Sequence, residues 1–129
     1  MVSKSIKLLV ADDHRLFIEG LRMVLKEELN IQITDTAFNG RQAIDRCLAE
    51  KFDVVLMDIN MPVINGIEAT QEIKRLRPDV KVIIVSMNTD YATVNKAIKA
   101  GADGYILKSE GAEEIEKAGL DQSFIKVAG

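Results

Sequence analysis

Five polar side chains in this 129-residue chain are spaced so that they could do chemistry together. Asp12 and Asp13 follow the apolar run Leu8 to Ala11, Asp58 follows Val54 to Met57, Ser86 follows Val82 to Val85, and Lys108 follows Gly104 to Leu107. If those runs are parallel strands, their carboxyl ends are where an open α/β sheet places its ligands. In a strand order of 2-1-3-4-5 the first and third strands are neighbours, so Asp12, Asp13 and Asp58 would converge. Two unit charges about 4 Å apart repel by about 4 kcal/mol at an effective dielectric near 20, so such a cluster asks for a cation. Oxygen ligands with room for water suit Mg²⁺, which commonly binds through one or two carboxylates and phosphate oxygens. Lys108 supplies a compact positive charge and Ser86 a hydroxyl donor, both suited to a dianionic phosphoryl group. A carboxylate can itself be the nucleophile in phosphoryl transfer, giving an aspartyl phosphate, and Asp58 is the best-placed candidate.

The elements that must position these residues are legible in the apolar pattern. Leu8 to Ala11, Val54 to Met57 and Val82 to Val85 are rich in Val, Ile and Leu and do not alternate, as expected of strands buried on both faces of a parallel sheet. Phe17, Leu21, Val24 and Leu25 recur with helical spacing after the first run. Ile31 to Thr36 alternates weakly as an edge strand, and Asn39-Gly40 then turns into a helix carrying Ala43, Ile44, Cys47 and Leu48. A strand over Asp53 to Met57 leads past Pro62 to a helix from Gly66 to about Arg77, with Ile67, Ile73 and Leu76 inward and Pro78-Asp79 at its end. Strand Val80 to Ser86, a helix near Asp90 to Ala100 with Asp90 as N-cap and Gly101 as C-cap, and strand Gly104 to Leu107 complete the pattern. Five strands alternating with helices, joined by right-handed crossovers, predict an α/β flavodoxin-like, doubly wound (βα)5 sandwich around a parallel five-stranded sheet of order 2-1-3-4-5.

Composition bounds the function. The chain is 47% hydrophobic and 29% charged, enough to bury a core, and its length predicts one domain over residues 1–129. Seventeen Lys and Arg against 20 Asp and Glu leave a net charge of -3, the wrong sign for direct nucleic-acid binding. The single cysteine, Cys47, rules out an intramolecular disulfide framework and fits a reducing cytosol, so a cytoplasmic location is expected. Asp12 ends the first apolar run after four residues, so the N-terminus carries no secretory hydrophobic region and is read as the start of the mature chain. No run approaches the roughly 20 apolar residues of a membrane span, and no membrane partner is expected.

Taken together, Leu8-Leu9-Val10-Ala11-Asp12-Asp13, Val55-Leu56-Met57-Asp58-Ile59-Asn60-Met61-Pro62, Asn65-Gly66, Val85-Ser86 and Gly104-Tyr105-Ile106-Leu107-Lys108 resemble a two-component response-regulator receiver domain, in register over residues 6 to about 108. That resemblance implies a signalling switch and not an enzyme with an external product. Asp58 would accept a phosphoryl group from a sensor histidine kinase or phosphotransfer protein. Asp13, Asp58 and the backbone carbonyl of Asn60 would ligate Mg²⁺, with Asp12 acting through a metal-bound water. Lys108 would pair with the aspartyl phosphate, Ser86 would hydrogen-bond it, and Tyr105 would turn from an outward to an inward rotamer, shifting the population of two surfaces. Asp13-His14, Ser86-Met87 and Gly101-Ala102-Asp103-Gly104-Tyr105 look most like the NarL-type (LuxR/FixJ-like) subfamily, whose members carry a C-terminal DNA-binding domain. This implies a transcription regulator whose output domain lies outside these residues, with a homodimer of the phosphorylated form as a further partner. A stand-alone receiver and a phosphate-independent interaction module are the alternatives. A haloacid-dehalogenase-type phosphohydrolase would place an acid two residues after the nucleophile, where this chain has Asn60.

Other residues invite plainer readings. Val54 to Asp58 also reads as a Walker B strand, but no phosphate-binding P-loop sequence accompanies it. His14, the only histidine, is read as a surface residue at a helix start without a catalytic role, and Cys47 as a small core residue. Met87 is larger than the Ala or Gly common after Ser86 in similar sequences and is expected to narrow water's access to an acyl phosphate. The domain core is expected over about 6–118, with 119–129 ending the last helix or beginning a linker. Ile115, Ala118 and Gly119 share one helical face while Leu120, Phe124 and Val127 share a nearly opposite one, so a kink near Gly119 or an apolar docking patch is expected.

Overall fold

Residues of β-branched and aliphatic type at consecutive positions fit a strand covered on both faces, and three such runs lie side by side at the centre of this molecule. A computed structural model of the chain describes residues 5–26, 30–87 and 90–107. Its elements, in chain order, are β1 (Ile6–Ala11), α1 (Arg15–Leu25), β2 (Ile31–Ala37), α2 (Gly40–Ala49), β3 (Val54–Asp58), α3 (Gly66–Leu76), β4 (Lys81–Ser86), α4 (Tyr91–Lys99) and β5 (Gly104–Leu107). The five strands form one sheet of order β2-β1-β3-β4-β5, and all its pairings are parallel. The expected doubly wound sheet and strand order are therefore observed. The expected kink near Gly119, residues 119–129 and Lys108 lie outside the described residues.

Strand alternation splits the core into two layers. Leu9, Ala11, Val55, Met57, Val82 and Ile84 pack with Ala43, Ile44 and Cys47 of α2, Ala69 and Ile73 of α3, and Ala97 of α4. Leu8, Val10, Val54, Leu56, Ile83 and Val85 pack on the other side with Ile18, Leu21 and Leu25 of α1. The buried stripe of α1 thus runs through Ile18, while Phe17 is only partly buried. Leu48, expected on the apolar stripe of α2, is 44% exposed in the helix's last turn.

Helix ends follow local chemistry. The side chains of Asn39 and Asn65 accept the backbone N–H groups of Gln42 and Glu68 at 2.8 and 2.9 Å, capping α2 and α3. Asp90 caps α4, accepting from the Thr93 hydroxyl at 2.7 Å and from Ala92 N–H, and these bonds hold its carboxyl below the usual carboxylate range. Gly101, at φ +107°, ends α4 in the left-handed region as expected. Lys74 Nζ then reaches Asp103 Oδ2 at 3.0 Å and the Val80 carbonyl at 2.8 Å, while Asp103 Oδ2 also accepts from Val82 N–H at 2.9 Å. Those bonds tie α3 to the amino ends of β4 and β5. No helix among the described residues is long and apolar enough to cross a membrane.

Candidate functional site

The carboxyl ends of β1 and β3 are adjacent because Ala11 pairs with Met57, so the residues that follow on each strand meet. Asp12 and Asp58 alternate onto the same side of the sheet as Val10 and Leu56, and both are buried, at 1% and 4% exposure. Burying carboxylates demands paired charge or a metal. One carboxylate oxygen from each of Asp12, Asp13 and Asp58 and one ring nitrogen of His14 all lie within 4.8 Å of one another. The three acids expected to converge do so.

A short turn sets this geometry. Asp12 N–H donates to the Ala37 carbonyl at 2.9 Å, extending the β1–β2 ladder by one residue. Asp12 Oδ1 then accepts from the backbone N–H of His14 at 2.8 Å, the turn that Asp favours before a helix. His14 occupies the N-cap of α1 without a side-chain cap bond, and its Nδ1 stands 3.2 Å from Asp12 Oδ1 and 3.6 Å from Asp13 Oδ1. The partial positive charge of the α1 N-terminus further favours acids here. His14 is thus a largely exposed residue at a helix start, as read from the sequence, and its ring nitrogen also stands within the acidic group. Sequence alone gave only one signal for it, adjacency to the Asp12-Asp13 pair.

The loop after Asp58 is fixed by two glycines. A Cβ on Gly66 would stand 2.0 Å from the Asp58 carbonyl oxygen, and one on Gly40 would stand 2.1 Å from the Ile64 carbonyl oxygen. Those close approaches let Gly66 N–H donate to Ile59 O at 2.8 Å and Gly40 N–H to Ile64 O at 3.0 Å, pinning the loop to α3 and α2. Asn60 lies at the centre of a turn closed by Met61 N–H on Ile59 O at 3.1 Å. Val63, at φ +70°, centres a second turn closed by Ile64 N–H on Pro62 O at 2.9 Å.

Ser86 ends β4, fully buried, one residue beyond the Val85 that pairs with Asp58. Tyr105 pairs with Ile84, so Tyr105 and Ser86 share the α4 side of the sheet, one pleat apart on neighbouring strands. Tyr105 is partly buried against that layer. Met87, the residue after Ser86, is 64% exposed. Burial pushes the Cys47 thiol up to about 12, which keeps it neutral and agrees with a core role.

The donors suit a hard divalent ion: oxygens of three carboxylates are gathered within 4.8 Å of one another, with the turn at Asn60 following Asp58. The arrangement holds the buried Asp58 carboxylate beside those of Asp12 and Asp13.

A family model for the response regulator receiver domain matches residues 8–119. The chain is 40% identical over 115 residues to the transcriptional regulatory protein DegU of Brevibacillus brevis, a match covering 88% of this chain and 48% of that protein. It is 39% identical over 113 residues to the response regulator UvrY of Escherichia coli O6:H1, covering 88% of this chain and 52% of that protein. The chain therefore spans about half the length of the curated relatives it matches. Its structure superposes on the signal receiver domain of the putative response regulator NarL from Mycobacterium tuberculosis with a TM-score of 0.85 and 30% identity, covering 92% of this chain and 96% of that one.

Proposed function

The chain belongs to the response regulator receiver domain family, and from that premise we propose that Asp58 is the phosphoacceptor of a switch driven by a sensor histidine kinase or phosphotransfer protein. The observation that carries this is the burial of Asp58 at the end of β3 with carboxylate oxygens of Asp12 and Asp13 within 4.8 Å. An Asp58 carboxylate oxygen attacks the phosphorus of a phosphohistidine or acyl phosphate. A new P–O bond forms as the donor's P–N or P–O bond breaks, and the displaced imidazole or carboxylate takes the electron pair. Asp13, Asp58 and the Asn60 carbonyl would hold Mg²⁺ and Asp12 a water bound to it. When bound, Mg²⁺ neutralises charge on the transferring phosphoryl oxygens.

The residues of this chain do the rest. Asp12 and Asp13 set the site's charge, and the loop pinned at Gly66 fixes the backbone of Asp58. Lys108 would pair with the phosphorylated side chain and Ser86 would donate its hydroxyl to it, vacating space that Tyr105 enters from the same side of the sheet. The domain's extent, with a core over about 6–118, belongs to this reading. So does its output: because the relatives are about twice as long and are named as transcriptional or response regulators, the switch would govern a DNA-binding domain, through a homodimer of the phosphorylated form. The setting would be the cytoplasm, where the kinase presents its phosphohistidine.

Intact-protein mass after incubation with Mg²⁺ and a small acyl-phosphate donor tests the proposal. Wild type is expected to gain a single phosphoryl adduct that is lost in Asp58→Ala and in the presence of excess chelator. An adduct that persists in Asp58→Ala, or none on wild type that binds Mg²⁺, would refute it.

A further inference from the structure

His14 is the only histidine in the chain, and its ring is turned toward the acids and not used to cap α1. Its Nδ1 lies 3.2 Å from Asp12 Oδ1 and 3.6 Å from Asp13 Oδ1. Ligands at right angles on an ion bound at about 2.1 Å stand about 3.0 Å apart, and opposite ligands about 4.2 Å apart. The separations within the Asp12, Asp13, His14 and Asp58 group reach no more than 4.8 Å, so a bound ion would have to draw its ligands together by some tenths of an ångström. At 64% exposure the ring has room to close the remaining gap.

We propose that His14 is a nitrogen ligand through which this site takes a borderline divalent ion of the Zn²⁺, Co²⁺ or Ni²⁺ type in competition with Mg²⁺. Carboxylates serve both kinds of ion, whereas imidazole suits the borderline ones and adds little for Mg²⁺, which prefers oxygen and retains its waters. A site of oxygen atoms alone already follows the general order of affinities that places Zn²⁺ above Mg²⁺. The signature of the nitrogen ligand is therefore the part of that selectivity that depends on His14. The inference rests on the acidic cluster being the cation site of the proposed switch. Its consequence is that the metal occupying the site, and with it phosphoryl transfer to Asp58, would depend on the supply of a second ion.

A 3.2 Å contact is also a hydrogen-bond distance, and a ring N–H donating to Asp12 would make His14 a positioning residue instead. The two roles separate in one experiment on the untagged full chain. Zn²⁺ and Mg²⁺ affinities are measured by calorimetry for wild type, His14→Ala, His14→Asn and Asp58→Asn, and the ring nitrogens of ¹⁵N-labelled protein are followed by NMR. A single histidine makes the assignment unambiguous. We expect one equivalent of Zn²⁺ to shift the Nδ1 resonance while Mg²⁺ leaves it in place. Both His14 variants should lower the ratio of Zn²⁺ to Mg²⁺ affinity about tenfold or more, and Asp58→Asn should weaken both ions. Equal loss of both ions in the His14 variants, an unmoved Nδ1 resonance, or Zn²⁺ binding indifferent to Asp58→Asn would overturn the ligand role. If wild type binds Mg²⁺ no better than Asp58→Asn, the cation-site reading itself fails, and this inference fails with it.

Discussion

Val63 sits in the loop that carries the chain from Asp58 to α3, and at φ +70° it adopts a conformation that a β-branched side chain resists. For an L-residue the left-handed region costs about 1–2 kcal/mol, and the turn's own bond, Ile64 N–H to Pro62 O at 2.9 Å, offsets part of that. Val63 is 77% exposed, so only about a quarter of the roughly 1.5–3 kcal/mol available from burying such a side chain is realised, about 0.5 kcal/mol. Asn adopts the left-handed region with little penalty and adds no glycine-like freedom to the unfolded chain. Val63→Asn should therefore stabilise the domain by about 1 kcal/mol, raising Tm by about 3–5 °C at this size. Val63→Gly removes the same strain but gives the unfolded chain about 0.5–1 kcal/mol of entropy, so it should fall near wild type. Urea unfolding of the three proteins, with m-values compared to verify a common unfolded state, gives the order directly. Wild type emerging as the most stable of the three would refute the reasoning, because strain could then not reside at Val63.

Three further outcomes follow from the same geometry. Gly66→Ala places a methyl group against the backbone oxygen of Asp58 and should destabilise by about 2–3 kcal/mol; a loss below about 1 kcal/mol in urea unfolding would show that α3 can move away from Asp58 at little expense. Cys47 ionises near 9 when unfolded but only near 12 when folded, so the stability it contributes is fully present below pH 9 and is lost as pH rises from 9 toward 12. The stability difference between wild type and Cys47→Ala should therefore shrink between pH 8 and pH 10.5, and a constant difference would contradict the burial of the thiol. Met87→Ala should change the lifetime of the phosphorylated protein by no more than about twofold, as for a surface substitution worth about 0.5 kcal/mol, and a larger change in radiolabel decay would mean that Met87 folds over the site once Asp58 is modified.

Strand ends were legible in the sequence because burial on both faces leaves a plain mark: an uninterrupted aliphatic run that stops where a polar residue is tolerated. Asp12, Asp13, Asp58 and Ser86 were all found that way. β2 was less clear for a physical reason. Leu8 pairs with Ile33 and Leu9 with Asp35, so Thr34 is an extra residue in the ladder, and the alternation changes phase at that point. The offset from Phe17 to Ile18 in α1 has a similar origin, since a stripe read from spacing alone is uncertain by one residue when Phe17 and Ile18 are both apolar. His14 and Val63 were not legible. The first depends on where a ring points after a turn closed by Asp12, and the second on a backbone angle that its residue type argues against.

The unequal anchoring of the described elements bears on how an event at Asp58 could be transmitted. α3 buries Gly66, Ala69, Thr70 and Ile73, and its Lys74 grips Asp103 at the amino end of β5. α4 buries only Ala97, while Tyr91 and Ile98 stand 82% and 59% exposed. Ser86 and Tyr105 lie on the α4 side of the sheet, Ser86 at the carboxyl end of β4 and Tyr105 second in β5, two residues from the Lys74–Asp103 tie. A charge-assisted hydrogen bond gained at Ser86 on phosphorylation would contribute about 1.5–3 kcal/mol, a shift of about 10- to 100-fold between two states. That would be too little to dislodge α3 with its four buried residues and its ion pair. It is of the right order to reposition a helix that, among the described residues, buries one alanine and half-buries Thr93, Val94 and Asn95, so α4 is the element through which the proposed switch would act.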